Sequence, residues 1–159
     1  MSIRINKVKI TKQNKISINY EVKNERIDTW DEYSLSCSDA PRPEFEKALR
    51  NLNAHVIDLC ELPQAYIDRV KVNGVTFSYG GADEVMGAVI VSQMELKFSN
   101  CDLNLNTPHK ASASYNSDYE ADPDQLLTED CIEALEELCY EATRYIKGER
   151  AQTHLFAVL

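Results

Sequence analysis

Acidic residues at regular spacing are the first candidates for chemistry in this sequence. Five of them coincide with positions 1, 3, 5, 7 and 12 of a calcium-binding EF-hand loop: Asp118, Glu120, Asp122, Asp124 and Glu129. Calcium takes about six to eight oxygen ligands, and the last glutamate of such a loop binds through both carboxylate oxygens. However, Pro123 stands where the loop needs glycine, and residues 111–117 lack the composition of an entering helix. We therefore predict an acidic loop that holds no metal ion.

Cys101 and His109 form a second candidate, because a thiol becomes a nucleophile when a base lies beside it. No recognisable third residue would orient the imidazole, so we interpret their proximity as chance. His55 borders the apolar stripe of a predicted helix, where a packing histidine is more common than a ligand. Glycine-rich phosphate loops, HExxH, GxSxG and zinc-finger spacings are missing. These patterns favour a non-enzymatic protein without a cofactor, and leave open catalysis by residues scattered through the fold.

Charge is distributed unevenly along the chain, whose net charge is −9. Residues 1–26 contain seven Lys or Arg and two acids, whereas residues 111–143 contain ten acids and no Lys or Arg. An acidic segment is commonly a solvated face, and it can also steer association with a basic partner. The candidate partner-binding residues are these ten acids and two tyrosines: Asp118, Glu120, Asp122, Asp124, Glu129, Asp130, Glu133, Glu136, Glu137, Glu141, Tyr115 and Tyr119.

The basic N-terminal segment predicts an alternative, direct binding of nucleic acid. Its cations would contact phosphates from a two-stranded ribbon: Arg4, Lys7, Lys9, Lys12 and Lys15. The net charge of −9 would repel a polyanion over most of the surface, and no nucleic-acid-reading motif is present. We therefore rank this alternative second.

Alternating hydrophobicity predicts the strands that would position these residues. Residues 85–98 alternate, and so do residues 75–79, with turn residues at 80–83 between them, which indicates a central β-hairpin. Val89 and Val91 make the first half of the long strand apolar on both faces, which predicts cover on both sides there. Further strands are expected at residues 3–10, 16–22, 33–37, 70–72 and 103–105. A change of phase at Asn6-Lys7 indicates a bulge, and one at Asn73-Gly74 indicates a bulge or a tight turn.

Two helices are predicted from apolar residues at helical spacing, at about residues 43–62 and 128–147. Thr128 is a suitable cap for the second helix, whose acids, including Glu141, are expected to project away from the core. Residues 109–123 have no periodicity and form a predicted loop. Tyr115 and Tyr119 either pin this loop to the body or expose aromatic rings within an acidic surface.

These elements predict an α+β fold: one antiparallel sheet of about six strands in βββα-βββα order, with two helices packed on one face. We expect a single domain over residues 1–159, with similar halves at 1–69 and 70–148 and an apolar tail at 149–159. The tail would add an edge strand or dock onto a partner, and is compatible with a homodimer. No apolar run reaches the ~20 residues of a membrane span. Five cysteines without a CxxC pair, and no signal peptide, favour reduced thiols and a cytoplasmic location.

Three short stretches carry a resemblance: FSYGG at 77–81, VMGAVI at 85–90 and LNTPHK at 105–110. They resemble small uncharacterised proteins encoded by phages and prophages, a resemblance that transfers no activity to particular residues. It implies a non-enzymatic acidic protein that inhibits a host nucleic-acid-binding or defence protein, as an anti-CRISPR protein or DNA mimic does. A remaining alternative is a small-molecule site between sheet and helices, with Tyr20, Tyr79 and Tyr145 near its rim.

Overall fold

The computed structural model describes residues 2–116 and 120–151. The strands are β1 (Ile3–Ile10), β2 (Ile16–Asn24), β3 (Thr29–Cys37), β4 (Val70–Gly80), β5 (Val85–Leu96), β6 (Cys101–Asn106) and β7 (Lys110–Ala111). The α-helices are α1 (Pro43–Arg50), α2 (Asn53–Leu59) and α3 (Glu129–Ile146), and short 3₁₀ turns occupy Gln64–Arg69 and Pro123–Gln125.

All strands belong to one antiparallel sheet in the order β3-β2-β1-β4-β5-β6, with β7 paired to β5 beyond the end of β6. This arrangement confirms the predicted α+β fold. The first strands of the two meanders, β1 and β4, lie side by side at the centre of the sheet. They pair only over Lys7–Lys9 and Gly74–Thr76, so the N-terminal end of β1 separates from β4.

One face of the sheet carries the hydrophobic core. Val8 lies opposite both Ile18 and Val75, and all three side chains are buried. The helices cover this face with Leu49, Leu52, Leu135, Leu138 and Tyr145, which are also buried. Each large apolar side chain that is fully buried contributes about 1.5–3 kcal/mol. Within the described residues no helix is both long and apolar enough to cross a membrane.

The opposite face of the sheet is open to solvent. Lys7, Lys9 and Lys71 are exposed on it, and Val89 and Val91 are half-buried there. Val89 and Val91 are therefore only partly covered on this face, where the prediction expected cover on both sides of β5. All three α-helices pack on the core face. On the open face the valines are flanked by residues of the ladder, such as Thr76 opposite Val89, and His109 lies over the nearby Gly87.

The predicted helix over residues 43–62 is two helices, and the break coincides with a bulge in β4. The register of β4 shifts between Val72 and Gly74, which confirms a bulge rather than a tight turn. At the break, Asn53 Oδ1 accepts a hydrogen bond from the Val72 N–H at 3.1 Å. Arg50 Nη1 donates to the Val72 carbonyl oxygen at 3.0 Å. The helix is thus interrupted where Arg50 and Asn53 form hydrogen bonds with the backbone carbonyl and N–H groups of Val72. A register shift between Ile5 and Lys7 confirms the bulge predicted in β1.

The segment after β6 crosses the open face of the central hairpin. His109 Nε2 lies 2.8 Å from Ser78 Oγ, over the bare backbone of Gly87. The ring of Tyr115 lies over Gly80, within 2.8 Å of where a Cβ atom would stand. Tyr115 therefore pins this loop, as one of the two interpretations predicted, although 43% of the residue stays exposed.

Candidate functional site

The acidic segment before α3 does not form a calcium loop in the described residues. Asp122 uses its Oδ1 to accept a hydrogen bond from the Asp124 N–H at 3.0 Å, and Pro123 begins a 3₁₀ turn. Thr128 caps α3 by accepting a hydrogen bond from the Cys131 N–H at 3.2 Å, as predicted. No group of three or more His, Cys, Asp or Glu side chains could hold a metal ion in the part of the chain that the structure describes. Asp118 and Tyr119 lie outside that part.

Cys101 and His109 are far apart, so they form no nucleophile–base pair. Cys101 pairs with Leu96 in the sheet ladder, whereas His109 lies over Gly87. The stretch of β5 between Gly87 and Leu96 is extended, which separates the two side chains by roughly 30 Å. His55 is half-buried on α2, as predicted for a packing histidine.

Most acids of α3 and of the segment before it are exposed, and we call these exposed acids together the acidic face. On α3 its members recur at i, i+3 and i+4, so they lie on one side of the helix. Its described members are Glu120, Asp122, Asp124, Glu129, Asp130, Glu133, Glu136 and Glu137, and all are exposed. None of them forms an ion pair with another described residue. Buried residues such as Leu135 and Leu138 hold the helix against the sheet and fix this orientation.

Glu141 does not belong to the acidic face, and the prediction that it projects into solvent is wrong. Its side chain is 6% exposed and lies 3.3 Å from Arg42 Nη1 at the start of α1. Glu141 follows Leu138 by three positions and precedes Tyr145 by four, so it lies on the buried side of α3. Its role is structural.

The acidic face ends at a cavity of about 500 Å³ that opens where β1 separates from β4. Across the gap, Tyr79 Oη donates to the Ile5 carbonyl oxygen at 2.7 Å. Charged and aromatic side chains from β1, β3, the central hairpin and α3 line the cavity: Arg4, Trp30, Tyr79, Asp83, Glu84, Glu136 and Tyr140. The aromatic rings and carboxylates give the cavity a surface that suits cations.

Arg4 shows how this lining holds a guanidinium group. Its Cζ lies 4.2 Å from the centroid of the Trp30 ring and 4.9 Å from that of Tyr79. Its Nη2 lies 3.1 Å from Glu21 Oε1, and its Nη1 lies 3.0 Å from Glu84 Oε1. Arg4 is therefore not available to the basic surface predicted for nucleic acid. Four lysines of that surface remain exposed: Lys7, Lys9, Lys12 and Lys15.

The Tyr79 hydroxyl and the Cys139 thiol, which both line the cavity, are neutral near pH 7. Burial raises the pKa of the Tyr79 hydroxyl far above its ordinary value. Burial, and then the charge of Glu136, raise the pKa of the Cys139 thiol to about 12. Because the thiolate is the nucleophilic form, Cys139 is unreactive at neutral pH. The cavity is consequently suited to binding rather than to covalent chemistry.

Sequence reasoning found only part of this site. Of the three tyrosines predicted near a rim, only Tyr79 lines the cavity, since Tyr145 is buried in the core and Tyr20 stacks on Tyr33 at 5.5 Å. Trp30 was not predicted as a site residue, and Arg4 was predicted only as a contact for nucleic acid. Each belongs to a different strand, and no spacing within the sequence brings them together.

Comparison of the chain with protein-family models, with curated proteins and with solved structures found no match.

Proposed function

We propose that this chain is a non-enzymatic interaction protein that binds a basic partner protein through the acidic face. The observation that carries the proposal is the exposure of eight carboxylates that have no ion-pair partner among the described residues. Surface acids usually alternate with lysines and arginines on a solvated helix, and the stretch from residue 111 to 143 contains neither. The rigid packing of α3 beneath supports a preformed surface.

The chemistry of the partner follows from the sign and shape of this surface. A helix-sized strip of negative charge complements a groove lined by Lys and Arg, as in proteins that bind nucleic acids. We propose that the acidic face occupies such a groove on a host or defence protein and so competes with nucleic acid, in the manner of an anti-CRISPR protein or DNA mimic. Association through exposed charges is fast and weakens as salt rises.

The test compares two charge reversals of equal size. The first variant, E129K/E133K/E137K, reverses the acidic face and spares both Glu141 and the cavity. The matched control, E25K/E32K/E95K, reverses three exposed acids outside α3. Tagged wild-type and variant proteins are used to capture partners from nuclease-treated lysate at low and high salt, with circular dichroism as the check on folding.

We expect the wild type and the control to capture the same protein at low salt, and the α3 variant to lose it. The captured protein should then release a labelled oligonucleotide when the wild-type chain is added. Equal capture by the α3 variant would show that the acidic face is a solvated surface only.

A second candidate function rests on the open face of the sheet, where Lys7 and Lys9 are exposed beside the hairpin turn that contains Lys12 and Lys15. These lysines could contact phosphates from one side of the protein while the acidic face lies on the other. Fluorescence anisotropy with a labelled oligonucleotide tests this candidate directly. Binding that disappears in K7E/K9E/K12E/K15E would favour it over the protein partner.

A further inference from the structure

We propose that the cavity at the end of the acidic face receives an arginine side chain of the basic partner. This inference rests on the proposed function and adds to it a specific anchor. Interface energy is concentrated in a few residues that fill pockets, and arginine is among the most frequent of them. The cavity is largely open to solvent, and its volume of about 500 Å³ falls within the range of about 300–1,000 Å³ that is usual for ligand sites.

The charge of the cavity lining favours a cation. Three carboxylates line it, those of Asp83, Glu84 and Glu136, against one guanidinium, that of Arg4. Arg4 is already paired with Glu21 and Glu84, so its charge is not available to attract an anion. Asp83 and Glu136 form no ion pair with any described residue and remain able to accept hydrogen bonds from a ligand.

The aromatic lining favours guanidinium over ammonium. Trp30 and Tyr79 already hold the guanidinium of Arg4 at cation–π distance, so the internal contact demonstrates the chemistry that the lining supports. The ring of Tyr140 is 58% exposed, and the chain's own Arg144 already contacts it: Arg144 Cζ lies 5.4 Å from the ring centroid, and Arg144 Nη1 donates to the Tyr140 hydroxyl at 3.1 Å. A planar guanidinium can lie along such a ring and donate to carboxylates at its edge, whereas an ammonium is a compact point charge.

Trp30 provides the readout, because it is the only tryptophan in the sequence and it lines the cavity. The probes are a blocked tripeptide with a central arginine and its lysine and citrulline analogues, citrulline being the uncharged counterpart. We expect the arginine peptide to change Trp30 emission in a saturable way, the lysine peptide to bind several-fold more weakly, and the citrulline peptide to give no saturable change.

The variants D83N and E136Q each remove one carboxylate charge from the cavity without changing its shape. We expect each to weaken arginine-peptide binding about threefold, the size of a partly exposed ion pair. E95Q, which removes an exposed acid of β5 that neither lines the cavity nor belongs to the acidic face, should bind as the wild type does. A response that is absent, that is equal for arginine and citrulline, or that D83N and E136Q leave unchanged would overturn the proposal.

The partner-capture experiment, combined with the peptide titration, distinguishes failure of this inference from failure of the proposed function. If E129K/E133K/E137K loses the partner while D83N/E136Q binds it as the wild type does, the acidic face stands and the arginine anchor is refuted. If the arginine peptide saturates the cavity but no nuclease-resistant protein is captured, the proposed function fails. The ligand of the cavity would then be a free guanidinium compound. This outcome would also overturn the proposal that an arginine side chain of a partner protein fills the cavity.

Discussion

Arg42 and Glu141 are 99 residues apart in the sequence and form an ion pair between α1 and α3. The Arg42 Nη1 lies 3.3 Å from Glu141 Oε1, and the two side chains are 25% and 6% exposed. A buried carboxylate is tolerated when a cation and hydrogen bonds compensate for its lost hydration. The pair therefore links the two helices that cover the core, and it separates a structural acid from the acidic face on the same helix.

The variant R42M tests this link. It leaves the Glu141 carboxylate buried without its cation, so we expect the free energy of unfolding to fall by about 3 kcal/mol, the low end for a broken buried pair. K47M, which removes an exposed cation from α1, should change it by less than about 0.5 kcal/mol. Urea denaturation measures both. The double variant R42M/E141M should be more stable than R42M alone, and equal losses for R42M and K47M would contradict the structural role.

The break between α1 and α2 leads to a second prediction. In N53A the Val72 N–H, in a fully buried residue, loses its acceptor, so we expect a loss of about 1–3 kcal/mol in the free energy of unfolding. N51A changes an exposed asparagine in the same break and should have little effect. Hydrogen exchange by NMR should show the Val72 amide exchanging faster in N53A only. Unchanged protection of that amide would refute the assigned hydrogen bond.

Local patterns of hydrophobic and capping residues in the sequence were sufficient to predict most of the fold. Strands at the centre of an antiparallel sheet with one solvated face alternate in hydrophobicity, and a bulge shifts the phase of that alternation by one residue. The phase changes at Asn6 and Asn73 could therefore be located without knowing which strands pair. Thr128 could be recognised as a cap because its partner, the Cys131 N–H, lies only three residues away.

The features that escaped prediction depend on contacts between distant segments. The helix break lies where Asn53 accepts a hydrogen bond from Val72, and the buried Glu141 is paired with Arg42, which precedes another helix. Helical periodicity alone places Glu141 at a boundary, and the partner decides which side it takes. The cavity is likewise assembled from separate elements, since Arg4 and Trp30 meet only after β1, β2 and β3 have paired.

Two glycines of the central hairpin should respond differently to an added methyl group. A Cβ at Gly74 would overlap the carbonyl oxygen of Val8 and the backbone of Lys9, which cannot move without disturbing the β1–β4 pairing. A Cβ at Gly87 would lie 2.5 Å from His109 Nε2, at the end of a side chain that can turn away. We expect G74A to lower the free energy of unfolding by about 3 kcal/mol and G87A by about 1 kcal/mol or less.

Thermal and urea denaturation of both variants check this difference. The combination G87A/H109A should cost little more than H109A alone, since the closest clash is removed with the imidazole and only Ser78 Oγ, at 3.0 Å, remains close to the added Cβ. A G87A variant as unstable as G74A would show that His109 is held rigidly over the strand. Such a result would contradict our expectation that the His109 imidazole turns away from a Cβ atom at Gly87.

Two desolvated thiols, that of the buried Cys131 and that of the half-buried Cys139, predict a dependence of stability on pH. Burial, and then the charge of Asp58, raise the pKa of Cys131 to about 11, and that of Cys139 is about 12. An unfolded chain releases these protons near the ordinary thiol pKa of 9.0, whereas the folded chain retains them. Because the folded-state pKa values are higher, the contribution of the two thiols to stability is complete below pH 9 and declines as pH rises through 11 and 12.

Urea denaturation below pH 9 and near pH 11 should show a smaller decline in the free energy of unfolding for C131A/C139A than for the wild type. C101A, which removes an exposed thiol, should decline as the wild type does, and identical slopes for all three proteins would mean that the thiols are not desolvated.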